Sequence, residues 1–242
     1  MIQKLLVVAL RPEWAHLKQG FRFIKDTDCD CLYHIADHEG VALLQVGIGP
    51  KKSGERFCEF LSQHDCLSVL HFGTSGALTH DMRVGDLFFA SEVVCGAETI
   101  PIKHPQALSL TTFLKDQGVN CFSGRLISVD RPLITPEDKV QAASRFNAQC
   151  VDMETISIAE LCQKNQIPCI SCRGIFDLYN EGLETLGGPF DKKGNISASR
   201  LAVNILKEPK RILKIPDLQK RQGIVNRHFK KAVMWFVGQT TE

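Results

Sequence analysis

The chain has 242 residues, 44% of them hydrophobic and 23% charged, with a formal net charge of +2. That length carries one large α/β domain or at most two small ones, and the near-neutral balance offers no electrostatic case for a nucleic-acid partner. No apolar run approaches the roughly 20 residues needed to span a bilayer. The start of the chain does not read as a secretory signal, and the ten cysteines sit mostly in apolar periodic segments, as small buried hydrophobes of a cytoplasmic protein rather than a disulfide framework.

In chain order, residues 4–10 (KLLVVAL) are a short apolar run of the buried-strand type. Residues 31–36 and 41–46 predict a hairpin that turns near His38-Glu39-Gly40. Residues 50–63 have helical spacing, with Phe57, Phe60 and Leu61 on one side. Residues 68–72 predict a strand ending in a small-residue turn, Gly73-Thr74-Ser75-Gly76-Ala77. A strand over 86–94, a helix over 107–117 and a strand over 124–129 follow. Pro136 opens a helix over 136–146, with Thr135 as its cap. Then come a helix over 153–164, a strand over 169–175, a glycine-rich polar stretch over 180–195 read as a mobile loop, and a terminal helix over 218–237. The alternation predicts a single α/β domain over residues 1–242, a central mixed sheet flanked by helices, with a basic helical tail from about residue 205 to 242.

Ligands of open α/β sheets gather at the carboxyl ends of the strands. The polar residues expected there are Glu13, the pair Gly47 and Gly49, the Gly73–Gly76 turn, Asp130, Asp152 with Glu154, and Asp177. Taken singly, each has an ordinary explanation. Glu13 can be a surface acid, the glycines can serve tight turns, and Asp152, Glu154 and Asp177 can be helix-terminal charges or caps. Several acids and two small-residue segments converging on one sheet edge are the makeup of a small-molecule site.

Three segments resemble the purine nucleoside phosphorylase and nucleosidase superfamily. They are Val46-Gly47-Ile48-Gly49-Pro50; Phe72-Gly73-Thr74-Ser75-Gly76-Ala77-Leu78 with Val84-Gly85-Asp86; and Val151-Asp152-Met153-Glu154, continuing through Ile167-Pro168 to Arg173-Gly174-Ile175-Phe176-Asp177. The likeness spans most of the chain and is similar above all to the methylthioadenosine/S-adenosylhomocysteine nucleosidase branch. Ser128-Val129-Asp130-Arg131-Pro132 and the basic tail resemble the nucleosidases of hopanoid synthesis, which remove adenine from adenosylhopane.

The resemblance implies a hydrolase that cleaves the N-glycosidic bond of a purine nucleoside, with adenine as the base and a variable 5′ substituent. It implies Glu13 as the acid that activates water and Asp177 as the general acid at N7 of the base. Glu154 would hold the ribose hydroxyls, with Met153 packed on the sugar and Asp152, Ser75 and Gly76 around it. Thr74 would lie beside the sugar or water, and Leu133 and Ile134 would wall the base. It further implies a homodimer and neither metal nor redox cofactor. These residue types suit the chemistry: a departing purine needs a proton, so one carboxyl must stay protonated while another stays ionised. Phe176 departs from the pattern, standing where a serine commonly orients the aspartate, so Asp177 is expected to use other partners.

The nucleophile divides the superfamily. A phosphorylase needs a fixed cation for its anion. The position two residues before the Gly73-Thr74 step, often arginine in phosphorylases, is His71 here, which favours water. Phosphorolysis is the alternative, and a non-catalytic nucleoside-binding module the second. Zinc at Cys29, Cys31, His34 and His38 is disfavoured by the close first pair and by a strand that separates Cys31 from His34. Gly47-x-Gly49 lacks the third glycine of a dinucleotide fingerprint. The tail carries Lys210, Arg211, Lys214, Lys220, Arg221, Arg227 and Lys230, followed by Val233, Trp235, Phe236 and Val237. It reads as a solvated helix face or, alternatively, as a peripheral membrane contact.

Overall fold

The computed structural model describes residues 1–182 and 215–239. Its centre is a ten-stranded mixed sheet. The strands are β1 (Lys4–Val8), β2 (Phe23–Lys25), β3 (Leu32–Ile35), β4 (Val41–Gln45), β5 (Val69–Ala77), β6 (Leu87–Cys95), β7 (Glu98–Pro101), β8 (Cys121–Ser128), β9 (Cys150–Asp152) and β10 (Cys169–Asp177). Helices α1 (Arg11–Trp14), α2 (Pro50–Gln63), α3 (Ala107–Asp116), α4 (Pro136–Phe146), α5 (Thr155–Lys164) and α6 (Ile215–Gly238) flank it.

β1 is parallel to β4 on one side and to β5 on the other. All five of its residues are buried, which is why it reads as an unbroken apolar run. The β2–β3–β4 antiparallel pairs extend this arm. On its far side β5 runs parallel to β10, and its last residues pair with β9. β10 is antiparallel to β6, β6 parallel to β8, and β8 parallel to β9. Strands β5, β10, β6, β8 and β9 therefore close on one another, and the carboxyl ends of β5 and β10 lie beside β9.

The small residues 73–77 are not a turn. They continue β5, because β10 stays paired with it from Cys169↔Val69 to Asp177↔Gly76. The helix expected from Met153 starts at Thr155, whose N–H is capped by the Asp152 carboxylate at 3.0 Å. Met153 and Glu154 thus occupy a strand-to-helix step. By contrast, α4 begins at Pro136 with Thr135 as its cap: the Thr135 hydroxyl oxygen accepts the Asp138 N–H, and the Asp138 carboxylate accepts the Thr135 N–H.

The terminal helix α6 buries Val225, Phe229, Val233, Phe236 and Val237 in the core with Leu6 and Phe72. It sits on bare backbone: a Cβ at Gly174 would collide with Val225, and one at Gly85 with Ile224. The buried Lys4 ammonium donates to the Phe236 and Val237 carbonyls at 2.7 and 3.0 Å and also to Gln239, a cation at the negative end of the helix dipole. This packing corrects the membrane reading of the tail. Val233, Phe236 and Val237 form the core face of α6, and Trp235 packs at its edge, so that apolar surface is already covered. Among the described residues no helix is long and apolar enough to cross a membrane. Lys210, Arg211 and Lys214, and most of the 180–195 stretch, lie outside the described residues.

Candidate active site

One cavity of about 290 Å³ opens where β5, β9 and β10 end. Its wall includes Glu13, Thr74, Ser75, Gly76, Leu133, Asp152, Met153, Glu154 and Asp177, so nine of the ten residues expected from the sequence meet there. Ile134 does not; it is 45% exposed beyond the rim. A larger depression of about 540 Å³, between the end of β7 and α5, has no carboxylate in its lining.

Glu13 reaches the cavity because Pro12 helps start α1 immediately after β1. Its carboxylate then turns back to accept the Leu10 N–H at 2.9 Å and also accepts the Thr74 N–H at 2.8 Å and the Thr74 hydroxyl at 3.0 Å. Burial raises the Glu13 pKa above the ordinary carboxylate value, against the opposing pull of these donors and of Arg173. Glu154 accepts the Gly49 N–H at 2.9 Å, where Gly49 has φ +90°, a backbone state that favours glycine. Burial, followed by the neighbouring Asp152 charge, pushes Glu154 up to about 8.

Asp152 borders the cavity, but its carboxylate is fully buried beneath it. It accepts from Ser128, from the Thr155 hydroxyl at 2.6 Å and from Arg173 at 3.0 Å. Arg173, to which the sequence reading assigns no role, is a fixed cation under this site. It is fully buried and enters from β10, one strand over from the His71 position where a phosphorylase would carry arginine. Its Nη2 lies 2.6–2.7 Å from the ring nitrogens of His71. Burial, and then Arg173, holds the His71 pKa well below its ordinary value, so His71 is a neutral acceptor. Arg173 Nη1 is buried and has no hydrogen-bond partner among the described residues.

Two glycines of β5 make room for this arrangement. A Cβ at Gly73 would stand 2.6 Å from Arg173 Nη1 and 2.9 Å from Glu13 Oε1, and one at Gly76 would stand 2.8 Å from Asp177 Oδ2. Gly73→Ala must therefore push the guanidinium and the carboxylate apart. The expected result is a loss of kcat/KM of about 100-fold or more, the scale of an ångström misplacement, with the melting temperature lowered far less than the activity. Steady-state kinetics beside a thermal melt check it.

Asp177, the last residue of β10, receives a bond from Lys139, whose Nζ also donates to the Leu178 carbonyl at 2.6 Å. Burial raises the Asp177 pKa, and Lys139 opposes that rise. Lys139 is 1% exposed and forms part of the cavity wall. It is the partner that Asp177 has with Phe176 in place of a serine.

A family profile described as the Phosphorylase superfamily matches residues 7–207. The chain is 23% identical over 185 residues to a 5′-methylthioadenosine/S-adenosylhomocysteine nucleosidase of Staphylococcus haemolyticus, covering 69% of this chain and 81% of that one. It is 29% identical over 130 residues to an aminodeoxyfutalosine nucleosidase of Helicobacter pylori, covering 47% and 56%. Among solved structures, a point mutant of the Helicobacter pylori enzyme MTAN with 5′-methylthioadenosine in its active site superposes with a TM-score of 0.73 at 19% identity, over 97% of this chain and 99% of that one.

Proposed function

The chain belongs to the phosphorylase superfamily, and from the chemistry of its cavity we propose that it is a hydrolase of purine nucleosides that cleaves the N-glycosidic bond with water. One observation carries the reading: Glu13, Glu154 and Asp177, from three distant parts of the chain, line one small cavity as buried carboxyl groups. Bond cleavage builds positive charge on the ribose and negative charge on the base. Glu154, held by the Gly49 N–H, accepts the ribose hydroxyls and strengthens that hold as the sugar becomes cationic. Glu13, with three donors fixing its orientation, takes the proton of the attacking water. Asp177 protonates the base at N7, against a wall of Val129, Pro132, Leu133 and Phe176.

The charge balance favours water over phosphate. The Arg173 charge is already matched by the buried Asp152 carboxylate at 3.0 Å, so a phosphate dianion entering there finds no uncompensated cation. For the finer assignment, adenine is the base and the 5′ substituent is apolar. The names of the relatives support the first, and Leu10, Ile48 and Leu218 in the wall support the second. A lipid-tailed adenosine, as handled by the hopanoid nucleosidases, belongs to that class.

The test incubates purified protein with adenosine, methylthioadenosine, adenosylhomocysteine, inosine and a lipid-tailed adenosine, with and without phosphate. The expected result is free base and free sugar at a rate that phosphate does not change. Strict phosphate dependence, with a ribose 1-phosphate product, overturns the hydrolytic reading.

A further inference from the structure

We infer that the proton delivered to the departing base originates on Lys139 and reaches the base through Asp177. The inference rests on the nucleosidase reading above. An Asp177 carboxylate that accepts a bond from an ammonium has no proton of its own to donate. The transferable proton of the pair is on Lys139, whose Nζ contacts Asp177 Oδ2 and the Leu178 carbonyl. The other charged groups felt by Asp177 are Glu181 and Arg221. Arg221 is committed to Glu181 at 2.6 and 2.8 Å and to Asp217 at 2.7 Å, and a guanidinium does not give up a proton. Lys139 differs in the second respect, because an ammonium can give up a proton. Its side chain is buried in the cavity wall with its Nζ directly against the Asp177 carboxylate.

Placement supports the relay. Lys139 follows the Thr135–Asp138 capping box of α4, and the segment just before that box supplies Pro132 and Leu133 to the wall. The contacts that position the base and the group that supplies its proton therefore ride on one continuous piece of chain.

The step balances. The C1′–N bond breaks with its electron pair going to the base. One proton moves from Lys139 to Asp177 and on to N7, leaving a neutral amine beside an Asp177 carboxylate. Water adds its oxygen to C1′ and leaves a proton on Glu13. Release of that proton to solvent and uptake of one by Lys139 restore the protein.

The test uses Lys139→Met and Lys139→Arg with two substrates carrying the same 5′ group, a purine nucleoside and a riboside with a 4-nitrophenolate leaving group, which departs without a proton. Arginine keeps the charge and the ion pair but cannot release a proton. The arginine variant is expected to lose about 100-fold or more in kcat on the purine nucleoside, the usual size of general-acid catalysis, and the methionine variant less, because Asp177 without the ammonium beside it holds a proton of its own. On the nitrophenyl riboside they are expected to stay within about threefold of wild type, with KM little changed on either substrate. Wild-type purine turnover in the arginine variant, or equal losses on both substrates in a variant with the wild-type melting profile, overturns the relay. A wild-type protein inert on both substrates overturns the nucleosidase reading itself, and the relay with it.

Discussion

Asp177→Asn protein folds as the wild type does and releases purine about 1,000-fold more slowly or worse, within the range by which general acids accelerate such steps. The two residues have the same shape, and the asparagine carbonyl oxygen can still accept from Lys139, so the core around β10 keeps its packing. What disappears is a group that can pass a proton to the base. Without that proton the base leaves as an anion, and the other carboxyls of the cavity wall are engaged elsewhere. Glu13 is committed to Leu10 and Thr74, and Glu154 to Gly49. Base release followed by absorbance, beside circular dichroism and a thermal melt, decides the matter; a variant turning over at a tenth of the wild-type rate removes Asp177 from the role of acid.

Glu154→Gln is expected to move activity and stability in opposite directions. In the folded protein Glu154 titrates near 8, against an ordinary value of 4.5. Between those two limits the native state holds a proton that the unfolded chain has released. Stability therefore falls as pH rises through the window, and is fully relieved of that cost only below the unfolded value. Glutamine keeps the Gly49 N–H satisfied through its amide oxygen and has no charge to bury. The variant should come within about 1 kcal/mol of the wild type at pH 5 and exceed its stability at pH 8 by about 4 kcal/mol, from the size of the shift. Turnover above pH 8, where the wild-type Glu154 is ionised, should drop by about 100-fold or more, because a neutral amide gains little as the ribose becomes cationic. Melts at the two pH values test the first half. A wild-type curve flat between pH 5 and 8 would show that Glu154 is not a buried acid of this kind.

Sequence periodicity locates the long elements well. Helices 50–63 and 136–146 are legible to the residue, since each begins at a proline and carries an apolar stripe. β2, β7, β9 and α1 span only three or four residues, too few for a repeat to show. Gly73–Ala77 reads as a turn because glycine ordinarily weakens a strand; in the folded chain its missing side chain is what admits Glu13, Arg173 and Asp177. The three acids are legible from their places after strands and their roles from family resemblance, but their partners are legible from neither. Lys139 sits in PEDKVQAASRF, where a lysine looks like any solvent-facing helical charge, and its partner is 38 residues away. Arg173 does leave a signal: a lone charge inside the apolar strand CISCRGIF must be paired once buried. That signal locates a cation that position 71 lacks.

Helix α6 has a double duty whose effect is on populations rather than on contacts. Its core face rests on Gly174 and Gly85, Leu218 and Gln222 complete the cavity, and Arg221 donates to the Phe176 carbonyl at 3.2 Å. An excursion that lifts α6 from the sheet exposes core and dismantles the binding wall in the same event. Apparent ligand affinity is then scaled by the fraction of molecules with the helix seated, and bound ligand slows amide hydrogen exchange along α6 by favouring the seated state. Trimming Phe229, which is not part of the cavity lining, weakens binding through that fraction alone.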